Sequence, residues 1–400
     1  MAEEEKLFLA CLRFFFRKMD SVAEIRSCLG KEIDWDLILS WAQWHGVSPL
    51  LYHILKEIGW SGIPKQVRER LEQSFRLNMA RNLFLWAETS KVLTALEKQR
   101  IISLPLKGIF LSEEVYPDIS FRVVTDIDLL IRQEDLAAAE ASLIELGYCR
   151  DPFIRKGLLP DNCYTLHMEK GERVGQRLCV ELHWGLANPR DYALPVKSWW
   201  EEIFQNSRGT YSWNGISCLR MGPEITLLYL TINAHMSRYS FLKQLIDIGQ
   251  VISHYEHEMD WKKVAGMASE LGLLDNLVFA LGLVQRMFDL RIGSELINWP
   301  LSWKQRMLRS IFREQSLVQG LIGQDLRQFL LLFLLDEKMI INSIFKVLFS
   351  SRQTIAYRYG LPPQSWSNYF YLILNPLLSI YRLFRGAVVD CWSGKGVGKT

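Results

Sequence analysis

Two aspartates, Asp126 and Asp128, stand at the start of an apolar alternating segment that runs to Ile131. Side chains on a strand alternate between its faces, so both carboxylates would project from one face while Ile127, Leu129 and Ile131 bury on the other. Two neighbouring carboxylates repel each other, and a hard divalent cation that prefers oxygen ligands removes the repulsion. The pair is therefore a candidate site for Mg²⁺ or Mn²⁺.

The residues before this pair could hold an anion. An apolar segment, 101–106, is followed by Lys107 and Gly108 and then by a helix-like segment, 109–116. A glycine turn into a helix start offers backbone N–H groups and a positive dipole, and glycine lets a phosphate approach closely. Lys107 would add a point charge; the alternative is that it is an ordinary surface lysine.

A third carboxylate lies on another alternating segment, 177–184, where Glu181 and His183 share one face. A similar segment, 163–168, precedes it across a connection rich in glycine and charge, and the two predict a β-hairpin. Taken alone, Glu181 is better explained as a solvated residue of an edge strand. His183 could contact a substrate or only orient a neighbouring side chain.

The order of these pieces resembles the nucleotidyltransferase superfamily, which has a strand, a glycine-containing turn into a helix, and Asp-x-Asp on the next strand. More narrowly, it resembles the family of uncharacterised nucleotidyltransferases. The resemblance covers roughly residues 82–290 and rests on short motifs: Leu106-Lys107-Gly108, Tyr116, Arg122, Asp126-Ile127-Asp128-Leu129-Leu130, Gly147-Tyr148, Val180-Glu181-Leu182-His183-Trp184 and Leu242-x4-Asp247-Ile248. Ile109 stands where the superfamily usually has serine or glycine, so phosphate contacts must come from Lys107, backbone groups or Arg122.

The resemblance implies a metal-dependent transfer of a nucleoside monophosphate from an NTP to a hydroxyl of a small molecule, peptide or protein. Under this hypothesis Asp126, Asp128 and Glu181 are catalytic and hold two Mg²⁺ or Mn²⁺ ions about 3.5–4 Å apart. The implied nucleotide-binding residues are Lys107, Gly108, Arg122, His183 and Asp247.

Several alternatives stay open at this point. The same site could serve a phosphotransferase, or the fold could be a catalytically silent binding module. Arg122 could pair structurally with Asp118 or Glu114 instead of binding nucleotide. Asn233, His235 and Asp247 are candidate nucleotide or acceptor contacts, but each could equally be a polar residue satisfied within a helix bundle.

Pattern and length predict an α+β fold, with a nucleotidyltransferase-like mixed sheet flanked by helical domains at both ends. The 400 residues divide into an N-terminal helical domain, 1–98, a catalytic core, 99–222, a helical partner domain, 223–345, and a C-terminal segment, 346–400. Hydrophobic residues make up 49% of the chain, enough for a sizeable core. Local patterns also predict a helix capped by Asp34, a long helix over 67–99, a short helix over 199–204 and a strand pair or edge within 211–219, with His45 as an ordinary helix residue.

Charge and cysteine content indicate which partners and which cellular compartment to expect. A net charge of +3 gives no support for a nucleic-acid partner, and seven scattered cysteines without a C-x-x-C pair predict a reduced, cytoplasmic protein. The basic, aromatic segment 346–400 could touch a membrane surface or pack back on the helices. Its end, 393–400, imitates a P-loop but lacks the first glycine and the following helix.

Overall fold

The computed structural model describes residues 2–150, 164–171, 177–186 and 210–319, the last without 238, 298 and 313, together with 352, 355, 362 and 365–378. The predicted helix 199–204 and the P-loop-like end 393–400 lie outside these residues. The prediction of an α+β fold is confirmed by the described part, which combines many helices with one mixed sheet.

Helices fill the first hundred residues, as predicted. They are α1 (Glu3–Phe16), α2 (Lys18–Leu29), α3 (Trp35–Trp44), α4 (Ser48–Ile58) and α5 (Lys65–Lys98). Asp34 caps α3, as the sequence indicates, because its carboxylate accepts a hydrogen bond from the backbone N–H of Leu37 at 3.0 Å. The long α5 matches the helix predicted over 67–99 to within two residues at each end.

The central part of the chain alternates strands and helices. Its elements are β1 (Ser103–Pro105), α6 (Ile109–Val115), β2 (Ile127–Ile131), α7 (Leu136–Glu145), β3 (Cys149–Arg150), β4 (Thr165–Lys170), β5 (Leu178–His183), β6 (Thr210–Trp213) and β7 (Ile216–Leu219). Five of the strands form one sheet in the order β1-β2-β5-β4-β3, in which β2 and β5 run parallel and the other neighbours antiparallel. The predicted hairpin of β4 and β5 and the strand pair β6–β7 are both present.

Helices return after the sheet. They are α8 (Pro223–Met236), α9 (Leu242–His254), α10 (Trp261–Glu270), α11 (Leu274–Phe288), α12 (Ser294–Ile297), α13 (Trp303–Ile311) and α14 (Glu314–Val318). Residues 367–378 are also helical. Within the described part of the chain, every helix falls short of the length and apolar character that crossing a bilayer requires.

The sheet separates two hydrophobic cores. On one face Ile127, Leu129 and Ile131 pack with side chains of α5 and α7, which confirms the predicted burial of that side of β2. On the other face Leu130 joins a core built from both α1–α4 and the helices that follow the sheet. The two predicted helical domains therefore share one core in the described structure, and the proposed domain boundaries stay a prediction.

His45, at the end of α3, is a buried link within this shared core. Its Nδ1 accepts from the backbone N–H of Leu242 at 3.3 Å and its Nε2 lies 2.9 Å from the carbonyl oxygen of Val318, so the ring is neutral with the proton on Nε2. Burial lowers the pKa of His45 from 6.5 to about 4. Its role is structural, as the helical pattern indicates.

Acid should therefore weaken the fold through His45. As the pH falls from 6.5 toward 4, the unfolded chain binds a proton that the folded imidazole refuses, so stability present above pH 6.5 is lost across that range. A His45→Gln variant should lack this loss, about 1.4 kcal/mol per pH unit. The measurement is urea unfolding of parent and variant between pH 7 and 4, with His53→Gln as the partly exposed control. Curves for His45→Gln and parent that stay parallel would contradict the assignment.

Candidate functional site

Asp128 lies at the centre of the site, on the face of β2 opposite the buried isoleucines. Its carboxylate is fully buried, and its Oδ1 lies 3.1 Å from Nε2 of His183 and 3.3 Å from Nζ of Lys107. Its Oδ2 is buried and has no hydrogen-bond partner among the described residues. A buried carboxylate oxygen without a partner is costly, and a bound cation would satisfy it.

The parallel pairing of β2 with β5 brings Glu181 and His183 to the same place. Asp128 lies opposite Glu181 in the register, and Glu181 Oε2 lies 3.4 Å from Nε2 of His183. Donor atoms of Asp128, Glu181 and His183 all lie within 4.8 Å of one another, close enough to share a metal ion. Two carboxylates and one imidazole fit Mn²⁺ well, and the carboxylates alone suit Mg²⁺.

The side chains of this cluster shift one another's pKa values. Burial opposes the protonated form of His183, but its contacts with Asp128 and Glu181 outweigh burial and raise its pKa. Burial raises the pKa of Glu181, but the contact with His183 and the charges of His183 and His167 together outweigh burial and hold that pKa below its usual value. The shifts of His183 and Lys107 both favour their positively charged forms beside Asp128.

Asp126 precedes the first residue of β2 and is half-buried. Its Oδ1 accepts from the hydroxyl of Thr125 at 3.1 Å. Burial opposes the ammonium of Lys107, but Asp128 raises the pKa of that lysine above its ordinary value, and Asp126 adds to the rise. The carboxylate of Asp126 also acts on Glu181. Asp126 therefore contributes negative charge to the same cluster.

Gly108 makes the turn between Lys107 and α6 possible. Its φ of +68° is one that other residues rarely adopt, and a Cβ there would lie 3.1 Å from the carbonyl oxygen of Asp126. The turn therefore lies directly against the start of β2. The predicted order of lysine, glycine turn and helix is present, with an α6 of seven residues.

Arg122 and Asp247 are buried and bind each other. Arg122 donates from Nε to Oδ1 at 2.8 Å and from Nη2 to Oδ2 at 2.9 Å, while Tyr116 donates to Oδ1 at 2.6 Å. Arg122 also donates from Nη1 to the carbonyl oxygen of Gly108 at 3.2 Å. This network joins α9 to the glycine turn, so the structure gives both predicted nucleotide-binding residues a positioning contact.

Arg122 is paired structurally, as one of the open alternatives had it, but with neither of the two partners that the sequence suggested. Asp118 instead accepts from the backbone N–H of Ser120, and Glu114 pairs with Arg220. Both are near Arg122 in the chain, whereas its actual partner, Asp247, lies more than a hundred residues away. A fold that packs α9 against the turn was needed to see the pair.

Removing one charge from this buried pair should strongly destabilise the protein. Asp247→Asn leaves the Arg122 guanidinium buried with its charge unbalanced, which costs about 3–5 kcal/mol. The double change Arg122→Met with Asp247→Leu should recover much of that loss, because both charges are then gone. Denaturant unfolding measures the effect.

Asp36→Asn is the matched control, since it breaks an exposed pair with Arg70 worth less than about 1 kcal/mol. Equal losses of stability for the Asp36 and Asp247 variants would contradict a structural role for the buried pair.

The other polar candidates on α8 lie apart from this cluster of contacts. Asn233 accepts through Oδ1 from Nε2 of Gln244 at 3.4 Å. His235 is buried, and its ring lies 6.0 Å from the ring of Tyr239, measured between centroids. Both contacts lie within the helices, as in the bundle alternative.

Three residues near the site escaped the sequence analysis. His167 on β4 lies opposite Glu181, and its Nδ1 is 3.2 Å from Glu181 Oε1. Tyr229 on α8 is buried within electrostatic range of Lys107, Asp128 and Glu181. Lys243, in the first turn of α9, is half-buried. Alternation along β4 could have indicated His167; the two helix residues gave no signal before the helices were packed.

Lys243 has no acidic partner in ion-pair contact within the described part of the chain. Among the described residues no carboxylate oxygen lies within 4.0 Å of its ammonium. Burial lowers the pKa of Lys243, and the positive charge of Arg122 lowers it further. Lys243 also interacts electrostatically with Asp126 and Lys107. Such a lysine can bind an anion that enters the site.

Comparison with known proteins identifies the family. The family of uncharacterised nucleotidyltransferases matches residues 31–289, about two thirds of the chain. The chain therefore belongs to this family, which confirms the resemblance predicted from the motifs and extends it from residue 82 back into the N-terminal helices.

One solved structure that matches is that of an antigenic nucleotidyltransferase-like protein from Paracoccidioides brasiliensis. It is 17% identical, with a TM-score of 0.36, and the match covers 54% of this chain and 97% of that chain. No curated protein matches the chain.

Proposed function

We propose that this protein is a metal-dependent nucleotidyltransferase that moves a nucleoside monophosphate from an NTP to a hydroxyl of a small molecule, peptide or protein. One observation carries the proposal. Asp128 and Glu181 come from different strands and lie opposite each other in the parallel register, and one buried carboxylate oxygen of Asp128 has no hydrogen-bond partner in the described part of the chain. Together with membership of the family, this arrangement favours phosphate chemistry over a purely structural acidic pair.

The carboxylates of Asp126, Asp128 and Glu181 would hold the metal. When bound, Mg²⁺ or Mn²⁺ neutralises phosphate charge and lowers the pKa of a bound hydroxyl. Asp128 and Glu181 lie on paired strands and Asp126 directly precedes β2, so the three carboxylates would position the acceptor and phosphate before reaction. His183, which lies between Asp128 and Glu181, would orient both carboxylates.

Two lysines are suited to the triphosphate. Lys107 contacts Asp128, and its ammonium would become available for phosphate if a metal balanced the charge of that carboxylate. Lys243 approaches from α9 without an acidic partner in the described structure. Ile109 has no hydroxyl that could contact the phosphates. The two lysines would make such contacts instead, and their positive charge would stabilise the leaving pyrophosphate.

Arg122 and Asp247 would position this machinery rather than touch the nucleotide. Their mutual bond satisfies both charges, and Arg122 holds the carbonyl of Gly108. The network fixes the turn that carries Lys107 relative to the helix that carries Lys243. The distance between the two phosphate-binding lysines is set by this contact.

The test is incubation of the protein with each NTP and Mg²⁺ in the presence of candidate hydroxyl acceptors, followed by mass spectrometry. A mass gain of one nucleoside monophosphate on an acceptor or on the protein supports the proposal. A gain of a single phosphate identifies a phosphotransferase that uses the same site. An NTP that binds without any product identifies a silent binding module.

Lys107→Ala should weaken triphosphate binding more than nucleoside binding, by about 10-fold or more, because a charge-assisted contact is lost only to the phosphates. Isothermal titration with Mg-NTP and with the nucleoside measures the two affinities. Lys98→Ala, which removes an exposed lysine at the end of α5, is the control. Equal losses for both ligands would show that Lys107 only supports the fold.

A further inference from the structure

A second group of metal-ligand side chains adjoins the carboxylate cluster. His167, Cys179 and Glu181 project from the same face of the hairpin formed by β4 and β5. His167 lies opposite Glu181 in the antiparallel register, and Cys179 is two residues before Glu181 on the same strand. Strand geometry therefore holds the three side chains together without help from other elements.

The distances in this group are close to those of a bound ion. One ligand atom from each residue lies within 4.8 Å of the other two, and His167 Nδ1 is already 3.2 Å from Glu181 Oε1. Zinc bonds of about 2.0–2.3 Å to nitrogen, oxygen and sulfur place tetrahedral ligands about 3.4–3.6 Å apart. Small rotations of the Cys179 and Glu181 side chains would close the remaining gap.

The ligand types distinguish this group from the Asp126–Asp128–Glu181 cluster. Imidazole and thiolate are preferred by zinc and similar metals, whereas Mg²⁺ requires oxygen ligands. All three side chains are partly exposed, so an ion could enter from solvent and keep water as its fourth ligand. The site is therefore suited to Zn²⁺ in the presence of Mg²⁺.

We propose that His167, Cys179 and Glu181 form a zinc site, and that Zn²⁺ bound there inhibits the protein by withdrawing Glu181 from the carboxylate cluster. Binding of zinc needs only these three residues. The inhibitory effect rests on the proposed nucleotidyl transfer, because Glu181 has one carboxylate and cannot serve both ions fully. Zinc, which has His167 and Cys179 as further ligands, then keeps this single side chain from magnesium.

Cobalt is the spectroscopic probe, because Co²⁺ replaces Zn²⁺ and gives a near-ultraviolet charge-transfer band when sulfur is a ligand. One equivalent of Co²⁺ added to the full-length protein should produce this band, Zn²⁺ should abolish it, and excess Mg²⁺ should not. Cys179→Ser should remove the band, and His167→Gln should weaken cobalt binding by about 10-fold or more. Cys149→Ser, which removes the exposed thiol of β3, should leave the band unchanged.

A band that survives in Cys179→Ser, or cobalt binding without any sulfur band in the parent, would overturn the proposed site. Turnover separates this inference from the proposed function. If the parent transfers a nucleoside monophosphate, micromolar Zn²⁺ should inhibit it, and Cys179→Ser should escape the inhibition while keeping its Mg²⁺-dependent rate. Equal inhibition of both proteins would overturn the regulatory role. A protein that shows the cobalt band but transfers nothing would instead refute the nucleotidyl transfer.

Discussion

Replacing Asp126 and Asp128 together by asparagine should abolish Mg²⁺-dependent nucleotide binding. The reason is electrostatic, since the variant loses two negative charges where Lys107 and His183 already supply positive ones. Asparagine keeps the shape and can still accept hydrogen bonds, so strand β2 keeps its packing on Ile127 and Leu129. Titration of Mg-ATP into parent and variant, followed by fluorescence or calorimetry, measures the loss.

The control has to exclude unfolding, because Asp128 is fully buried. Far-ultraviolet circular dichroism should show that the double variant is still folded, although the loss of the Asp128 charge beside Lys107 should lower its denaturation midpoint. The single variant Asp126→Asn, at a half-buried position, should fold normally, but it should bind Mg-ATP less tightly than the parent does. A folded double variant that binds Mg-ATP as the parent does would show that the metal assignment is wrong.

Changing Glu181 to glutamine should separate binding from catalysis. Nucleotide and one metal ion should still bind, because Asp126 and Asp128 remain. Transfer should fall by about 100-fold or more, since the acceptor hydroxyl loses the carboxylate that helps to activate it. The measurement is kcat and KM for the acceptor identified by mass spectrometry, with the NTP at saturation.

Glu145→Gln is the matched control for this change, since it removes an exposed carboxylate from α7 in the same part of the chain. Its turnover should equal that of the parent. A Glu181→Gln protein with unchanged turnover on its true acceptor would remove Glu181 from the catalytic group. A large rise in KM with unchanged kcat would assign Glu181 to binding alone.

Local patterns predicted the parts of the fold that local physics decides. Alternation from Asp126 to Ile131 gave β2 and its buried face, Asp34 gave a helix start, and the order of Gly108 and α6 gave the turn. The family resemblance then supplied the proposed role of Glu181, which its own sequence context disfavours. Strand pairing is a long-range property, so only the structure could show that Asp128 lies opposite Glu181.

Contacts between distant segments could not be predicted from the sequence. Arg122 was paired with near neighbours because a sequence shows nearby charges, whereas the fold pairs it with Asp247 on α9. Lys243 looked like one more polar residue of an amphipathic helix, and only its position near Arg122 and Lys107 singles it out. The helices at the two ends of the chain likewise showed no sign that they share one core.

The position of bound manganese tests the central claim most directly. Crystals of the protein with Mn²⁺ and a non-hydrolysable NTP analogue would locate the ion by its anomalous scattering. We expect manganese to be bound by carboxylate oxygens of Asp126, Asp128 and Glu181, with Lys107 moved from Asp128 to the triphosphate. Manganese bound elsewhere, with Lys107 still on Asp128 and the analogue away from both, would contradict it.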